Sequence, residues 1–299
     1  MTGIIPPRTD LLFKRIFGDP SNTDILVAFL KAALPLPAED FTTVTLTDTN
    51  LPVDQLLDKE SILDINATTT SGRQIDIEIQ VLPFASLKER VTFYTARMLA
   101  HQLKAGHTYT RLNQAISILI TAHDLIHPST AYQHRFHLAE LATGITFTTV
   151  MEINTLELTK LPPASDGTEL WEWLTFINAS NQEELDMAAT LNPTIDKAAT
   201  IVRYYSADEA FRLQAESRDK WQRDVATMQE ENYTRGRVEG IQQGIQQGIE
   251  QGIEQGMEQG IDRERVRGIR HGLAQGYDAV TLAAIFQISQ DEVHRLAGQ

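Results

Sequence analysis

The stretch Ile75-Asp76-Ile77-Glu78-Ile79-Gln80-Val81 alternates apolar and polar side chains residue by residue. Such alternation is typical of a β-strand, in which successive side chains lie on opposite faces of the sheet. The earlier stretch Leu63-Asp64-Ile65-Asn66-Ala67 alternates in the same way. The two stretches predict a pair of strands that each bury one apolar face. The side chains on the polar face belong to Asp64, Asn66, Asp76, Glu78 and Gln80.

The loop between these strands predicts their register. If residues 70–72 form a three-residue loop with Gly72 in the left-handed conformation, Thr69 pairs with Arg73 and Asp64 lies directly opposite Glu78. Directly opposed side chains have Cβ atoms ~4.5–5.5 Å apart. Two carboxylates at that separation repel each other unless a cation lies between them.

A divalent metal ion is one explanation for this pair of carboxylates. Mg²⁺ is commonly bound by one or two carboxylates, water and a substrate phosphate, and Mn²⁺ or Ca²⁺ would find similar oxygen ligands here. Such an ion acidifies bound water and neutralises charge on a phosphodiester. The other explanation is a half-exposed hairpin whose Asp and Glu side chains face solvent.

A polar stripe on the next predicted helix favours the metal explanation. This helix runs from about Leu87 to Ala105 and ends at Gly106, and Arg90, Tyr94 and Arg97 lie at positions i, i+4 and i+7 on one face. Two guanidinium groups and a phenol would suit contacts with phosphate. Arg and Tyr side chains also commonly extend from a packed helix into solvent, so the stripe alone is a weak signal.

The residues before the hairpin predict two more helices. Apolar residues at helical spacing predict one helix that ends at Gly18 and a second that ends at Pro35. A Ser followed three residues later by an acidic residue resembles a capping box at two predicted helix starts. These are Ser21 with Asp24, and Ser86 with Glu89.

The predicted elements follow the order α-β-β-β-α-β. The strands are predicted at Thr42–Leu51, Ser61–Thr70, Arg73–Leu82 and Ala115–Ala122. The fold class is therefore α/β, a mixed sheet flanked by helices. After a strand-like stretch and a loop at residues 162–167, helical periodicity begins. We predict an α/β domain at residues 1–165, a helical module at 166–232 and a tail at 233–299.

The tail contains a four-residue repeat. Glycine recurs at every fourth position from Gly236 to Gly260, and each of the last six glycines is followed by Ile or Met. Each helical glycine costs about 1 kcal/mol relative to alanine, so this helix needs a packing partner. We therefore predict a homo-oligomer that assembles through residues 236–261, with a passive low-complexity tail as the alternative.

Two short helices are predicted at the end of the chain. Asp278 can cap the first, and Ser289 with Glu292 forms a capping box for the second. Their arrangement resembles a helix-turn-helix, but Asp291 and Glu292 lie where a DNA-reading helix would meet phosphates. A packing cap on the tail is the favoured interpretation.

Composition excludes several classes of protein. The 299 residues include no Cys, which excludes disulfide scaffolds, Cys-ligated zinc sites and thiol enzymes. No run of ~18 apolar residues and no signal-like N-terminus is present, so we expect a cytoplasmic protein that spans no membrane. The net charge of -14 argues against nonspecific electrostatic binding of nucleic acid.

Two histidine pairs have the spacing of metal ligands. They are His123 with His127 and His134 with His137. The first pair follows a predicted strand and is adjacent to Pro128. We interpret both pairs as surface histidines of loops.

Several of these motifs together resemble the Rpn family of bacterial recombination-promoting nucleases, which belongs to the PD-(D/E)XK nuclease superfamily. The resemblance covers nearly the whole chain and is most specific over residues 10–122. The motifs are Asp10–Gly18, Leu63–Ala67, Ile77–Gln80, the Arg90, Tyr94 and Arg97 stripe, Gly106–Tyr109 and the Gly-Ile repeat. The superfamily core has the same αβββαβ order.

The resemblance implies a Mg²⁺-dependent endonuclease that cuts DNA and acts in recombination or transposition. It implies that Asp64 and Glu78 bind the metal ion and that the backbone carbonyl of Ile79 is a further ligand. We expect phosphate contacts from Lys14, Arg90, Tyr94 and Arg97.

One position departs from the superfamily motif. Gln80 stands where the general motif has Lys, although the Rpn group resembles this chain in having Gln. A neutral amide cannot serve as a general base, so we expect Gln80 to orient the attacking water. The alternative function is a weakly active or inactive nuclease fold that acts as an oligomeric interaction module.

Overall fold

A computed structural model describes residues 3–47, 50–51, 61–62, 64–84, 86–104 and 106–298. Parts of three predicted elements lie outside these residues. They are Asp48 and Thr49 of the first predicted strand, Leu63 of the second, and Ala105 at the predicted end of the helix after the hairpin. The chain forms two compact units, Met1–Ala226 and Thr227–Gln299.

The first unit is built on a mixed sheet of six strands. The described residues of this unit contain eight strands in all: β1 (Thr45–Thr47), β2 (Asn50–Leu51), β3 (Ser61–Ile62), β4 (Ile65–Thr68), β5 (Gln74–Gln80), β6 (Ala115–Thr121), β7 (Gln133–Ala139) and β8 (Thr146–Glu157). Strands β2 and β3 form a separate antiparallel pair, and the large sheet has the order β1-β4-β5-β6-β8-β7. Strands β5, β6 and β8 run parallel, whereas β1, β4 and β7 are antiparallel to their neighbours.

Six helices and the start of a seventh belong to this unit in the described residues. They are α1 (Asp10–Phe17), α2 (Thr23–Ala33), α3 (Leu87–His101), α4 (Glu169–Asn178), α5 (Gln182–Ala189), α6 (Pro193–Ala207) and α7 (Glu209–Ala274). The succession α1, β1, β4, β5, α3, β6 confirms the predicted αβββαβ order. Helix α2 and the β2–β3 pair are additions to it.

The predicted hairpin register is confirmed. Ile65 pairs with Ile77, and Thr69 donates its backbone N–H to the carbonyl oxygen of Arg73 at 2.9 Å. Gly72 has a φ of 83°, the left-handed conformation that the three-residue loop requires. Continuing this register by one residue sets Asp64 opposite Glu78.

The core lies between the sheet and the helices α1, α2, α4, α5 and α6. Its aromatic centre is contributed by Phe17, Phe29 and Trp173, whose ring centroids lie 5.3 to 6.1 Å apart. Helix α4, which contains Trp173, thus packs into the same core as α1 and α2. The predicted boundary after residue 165 therefore falls inside one compact unit.

Three predicted details of helix ends are wrong. Ser21 lies in a short 3₁₀ turn, where Asp19 accepts its backbone N–H at 2.9 Å, and it does not cap α2. Ser86 precedes α3 but makes no side-chain capping bond, because its ψ of 26° is not the extended conformation of an N-cap. Helix α3 ends at His101, before the predicted end, although Gly106 does adopt a left-handed φ of 87°.

The second unit packs two short helices around an apolar cluster. Helices α8 (Ala279–Phe286) and α9 (Gln290–Ala297) are capped as predicted, by Asp278 and Ser289. The buried centre of the cluster consists of Ile269, Leu282 and Val293. This packing agrees with the interpretation of the helix pair as a cap on the tail.

Among the residues that the structure describes, no helix combines the length and apolar character needed to cross a bilayer.

We expect Gly72→Ala to destabilise the protein more than Gly144→Ala. Both glycines have positive φ values in hairpin loops, which costs alanine about 1 kcal/mol. A Cβ on Gly72 would also lie 2.7 Å from Nδ2 of Asn113, whereas Gly144 has open space around it. The expected losses in the free energy of unfolding are about 2 and about 1 kcal/mol, measured by urea denaturation. Equal losses would show that Asn113 moves aside freely.

Candidate active site

The central strand β5 brings its acidic side chains into a buried setting. Asp76 is fully buried and Glu78 is 4% exposed. They are covered because β5 lies inside the sheet and α3 packs across this face through Leu87 and Val91, which contact Leu119 of β6. The explanation of these residues as the solvent-facing side of a half-exposed hairpin is therefore wrong.

Two cations compensate the carboxylates. Nζ of Lys14, on α1, lies 2.8 Å from Oδ1 of Asp64. The Arg90 guanidinium, on α3, donates from Nη2 to Oε2 of Glu78 and to Oε1 of Gln80, both at 3.1 Å. Repulsion between the acidic groups is thus relieved by side chains from helices on either side of β5.

Asp64 is also tied directly to β5. Its Oδ2 accepts the backbone N–H of Ile79 at 3.3 Å. Asp64 immediately precedes β4, so this bond closes the hairpin at the end opposite its loop. Glu78, the neighbour of Ile79 on β5, is thereby held next to Asp64.

Burial changes the protonation of the acidic groups. Burial raises the pKa of Glu78 to about 6; Arg90 opposes this shift, and the charge of Asp64 reinforces it. Burial, followed by the charges of Glu78 and Asp64, raises the pKa of Asp76 well above its usual range. Burial alone would lower the pKa of Lys14, but Asp64 and Asp10 raise it overall, so Lys14 keeps its charge.

The donor set is compatible with a hard divalent cation. Carboxylate oxygens are ligands that Mg²⁺ prefers, and the buried Oδ1 of Asp76 has no hydrogen-bond partner. Within the described part of the chain, no three His, Cys, Asp or Glu residues are grouped as a metal site. The arrangement therefore fits an ion held by two carboxylates and water, the mode that Mg²⁺ commonly adopts, and not a cage of protein ligands.

The structure separates the residues of the predicted phosphate-binding stripe. Arg90 contacts Glu78, and its buried Nε has no hydrogen-bond partner among the described residues. Tyr94 is half-buried, and burial raises the pKa of its phenol; the charge of Arg90 lowers this pKa and the charge of Glu78 raises it. Arg97 lies farther along α3, 5.8 Å over the ring of Phe93.

Two residues at the edge of this site were not predicted from the sequence. Asp10 is buried and lies 3.0 Å from Nζ of Lys14, and Arg218 of α7 forms a close ion pair with Asp10. The spacing of Asp10 and Lys14, four residues apart on α1, is a sequence signal that could have shown the first contact. No local sequence pattern indicates the contact between Asp10 and Arg218.

The interpretation of His134 and His137 as loop residues is wrong. Both lie on β7, where His134 approaches Glu157 at 3.5 Å and His137 approaches Glu152 at 3.3 Å. This edge strand begins with three polar residues, Gln133, His134 and Arg135, so the apolar–polar alternation typical of a strand is hidden. His123 lies, as predicted, in the loop after β6.

Comparison with known protein families identifies the larger part of the chain. A family model described as PD-(D/E)XK nuclease family transposase matches residues 7–232. No curated protein and no solved structure matches the chain.

We expect Glu78 to make the metal-free protein less stable as pH rises from about 4.5 to about 6. Its pKa is higher in the folded state, about 6, than its ordinary value of 4.5, so the folded state binds more protons in this window. The loss is about 2 kcal/mol and is nearly complete about one pH unit above the folded-state pKa. Urea denaturation in EDTA from pH 4 to 7.5 should show this fall relative to Glu78→Gln. Parallel curves for the two proteins would contradict the shift.

Proposed function

This chain belongs to the PD-(D/E)XK nuclease family transposases, and from that membership and the geometry of its site we propose that it is a metal-dependent DNA endonuclease. The observation that carries the proposal is a pair of opposed acidic residues, the partly exposed Asp64 and the buried Glu78, with a cation on each. Burial of carboxylates beside charged partners is typical of sites that perform chemistry.

Asp64 and Glu78, with the backbone carbonyl of Ile79, would hold Mg²⁺, and Mn²⁺ or Ca²⁺ would meet the same oxygen ligands. When bound, the ion supplies a more acidic water and positive charge next to a phosphodiester. Binding requires Glu78 to be ionised, and with a pKa of about 6 it is ionised at neutral pH.

The remaining side chains would act on the DNA phosphate. The Arg90 side chain is about one-third exposed, and guanidinium N–H groups that Glu78 and Gln80 do not occupy can be donated to a phosphate oxygen while Nη2 stays on Glu78. Lys14 keeps its proton and can stabilise negative charge that develops during cleavage. Tyr94 and Arg97 would extend phosphate contact along α3.

Gln80 would orient the attacking water. Its amide oxygen accepts from Arg90, and its Nε2 donates to the carbonyl of Leu82 at 3.1 Å. One N–H and one lone pair of the amide are left for a water molecule. Because the amide is fixed at both ends, a bound water would have a defined position beside Glu78.

The biological setting that we propose is DNA recombination or transposition, and the family description, which names a transposase, supports the second. A second candidate is an interaction module that keeps the nuclease fold with little or no activity. Gln80 in place of Lys favours it, because no ammonium group stands at this position of the strand.

Assembly through the tail is a further part of the proposal. The Ile and Met residues of the repeat are each more than half exposed on α7. Farther along the same helix, Gly268 and Gly272 are also four residues apart, and they leave room for apolar side chains of α8. A Cβ on either glycine would lie within 2.7 Å of the side chain of Phe286 or Leu282. We propose that the repeat accepts apolar side chains from another copy in the same way, which makes the protein a homo-oligomer through residues 236–261.

We expect Asp64→Ala and Glu78→Ala each to abolish Mg²⁺-dependent cleavage of plasmid DNA, because each change removes one of the two side chains that would fix the ion beside the phosphodiester. Circular dichroism should show that both variants are folded. Glu152→Gln is the matched control, since Glu152 is a buried carboxylate of the same sheet that contacts Arg135 and His137. The control should cleave like wild type. Cleavage by both Ala variants would exclude this site, and wild-type protein without activity in Mg²⁺ or Mn²⁺ would favour the interaction module.

We expect truncation after Tyr233 to give a folded, mostly monomeric protein that nicks plasmid more than it linearises it. A double-strand cut by an enzyme with one metal centre per chain needs two paired active sites, and the truncated protein lacks the repeat. Analytical ultracentrifugation of both proteins, with the ratio of nicked to linear plasmid, tests this. A monomeric full-length protein, or an unchanged oligomeric state after truncation, would show that the repeat is a passive tail.

A further inference from the structure

The first turns of α7 reach the start of α1, the helix that carries Lys14. Phe211 and Ala215 of α7 are buried in the core, and Arg212 donates from Nη1 to the carbonyl oxygen of Gly3 at 2.6 Å. Two turns farther along α7, Arg218 forms a close ion pair with Asp10 of α1. The part of α7 that leads to Arg218 is therefore anchored to the first unit.

Arg218 is the first of four charged groups of alternating sign that lead to β5, the strand that carries Glu78. Arg218 contacts Oδ2 of Asp10, and Oδ1 of the same carboxylate lies 3.0 Å from Nζ of Lys14. Nζ of Lys14 lies 2.8 Å from Asp64, whose other oxygen accepts the N–H of Ile79 at 3.3 Å. We call Arg218, Asp10, Lys14 and Asp64 the ion-pair chain.

Lys14 is shared by two carboxylates, so its position depends on how strongly each attracts it. Asp10 is 7% exposed, and a buried carboxylate needs a nearby cation. With Arg218 present, Asp10 has a second cation and Lys14 can stay on Asp64. Without Arg218, Asp10 would depend on Lys14 alone and would draw it away from Asp64.

We propose that Arg218 is a positioning residue that keeps Asp64 in place through Asp10 and Lys14. The role of Asp64 as a metal ligand rests on the function proposed above, whereas the coupling between Arg218 and Asp64 does not. Arg218 itself touches neither Asp64 nor the strand β5 in this chain of contacts. Its effect on the site is therefore indirect and should disappear when Asp10 is neutralised.

A double-mutant cycle on unfolding tests this coupling without DNA or metal. The variants are Arg218→Gln, which keeps the aliphatic stem, Asp64→Asn, and the two combined, compared by urea denaturation in EDTA. We expect the combined change in the unfolding equilibrium constant to differ at least about two-fold from the product of the single changes. In an Asp10→Asn background the same two changes should multiply without interaction.

The matched control is Arg203→Gln. Arg203 forms a surface ion pair with Asp186 at 2.7 Å and is exposed to a similar degree as Arg218. Its effect should be independent of Asp64→Asn. Independence of Arg218 and Asp64 in the wild-type background, or an interaction that persists with Asp10→Asn, would overturn the proposal.

Cleavage kinetics give a second measurement. We expect Arg218→Gln to lower kcat about ten-fold with little change in KM, and Arg218→Lys to restore most of the activity. Unchanged kcat in Arg218→Gln would overturn the positioning role. If wild-type protein cleaves no DNA, the proposed function fails while the unfolding cycle still decides whether the ion-pair chain couples Arg218 to Asp64.

Discussion

Burial of acidic side chains on the central strand β5 is the constraint on which the rest of the first unit depends. Ionised carboxylates lose hydration when they are buried, and they must be protonated or paired with cations. Burial raises the pKa of Asp76 well above its usual range, which favours its protonated form, whereas Glu78 is paired with Arg90 and the neighbouring, partly exposed Asp64 with Lys14. The cations come from α1 and α3, so the carboxylates are compensated only when both helices are packed against the sheet.

Helix α1 illustrates how packing and chemistry share one short element. Its aromatic side chains Phe13 and Phe17 are fully buried, and Phe17 contacts Phe29 and Trp173 in the core. The polar side of the same helix directs Lys14 to the hairpin. Trp173 of α4 therefore helps to fix the helix that carries Lys14. The helical segment after residue 165 and the sheet share one core through this contact.

Local patterns in the sequence were sufficient to predict the hairpin and its register. The period-two alternation and Gly72 are properties of a few neighbouring residues, and they set Asp64 opposite Glu78 before any tertiary contact is considered. Burial of the polar face was not predictable in this way, because it depends on how α3 crosses the sheet. The contact between Asp10 and Arg218 joins residues from opposite ends of the first unit, and no periodicity reports such a pair. The roles of the site residues in cleavage stay predictions.

The three-residue loop at Thr70, Ser71 and Gly72 also limits how this family of sequences can change over time. Side chains alternate between the faces of the sheet, so inserting or deleting a single residue in the loop would shift the pairing of β4 and β5. If the pairing shifted by one position, Asp64 would face an isoleucine and the acidic and apolar sides of one strand would exchange places. The fold and the arrangement of the candidate site would be lost in one step. Length variation among relatives should therefore accumulate in other loops and be absent from this one.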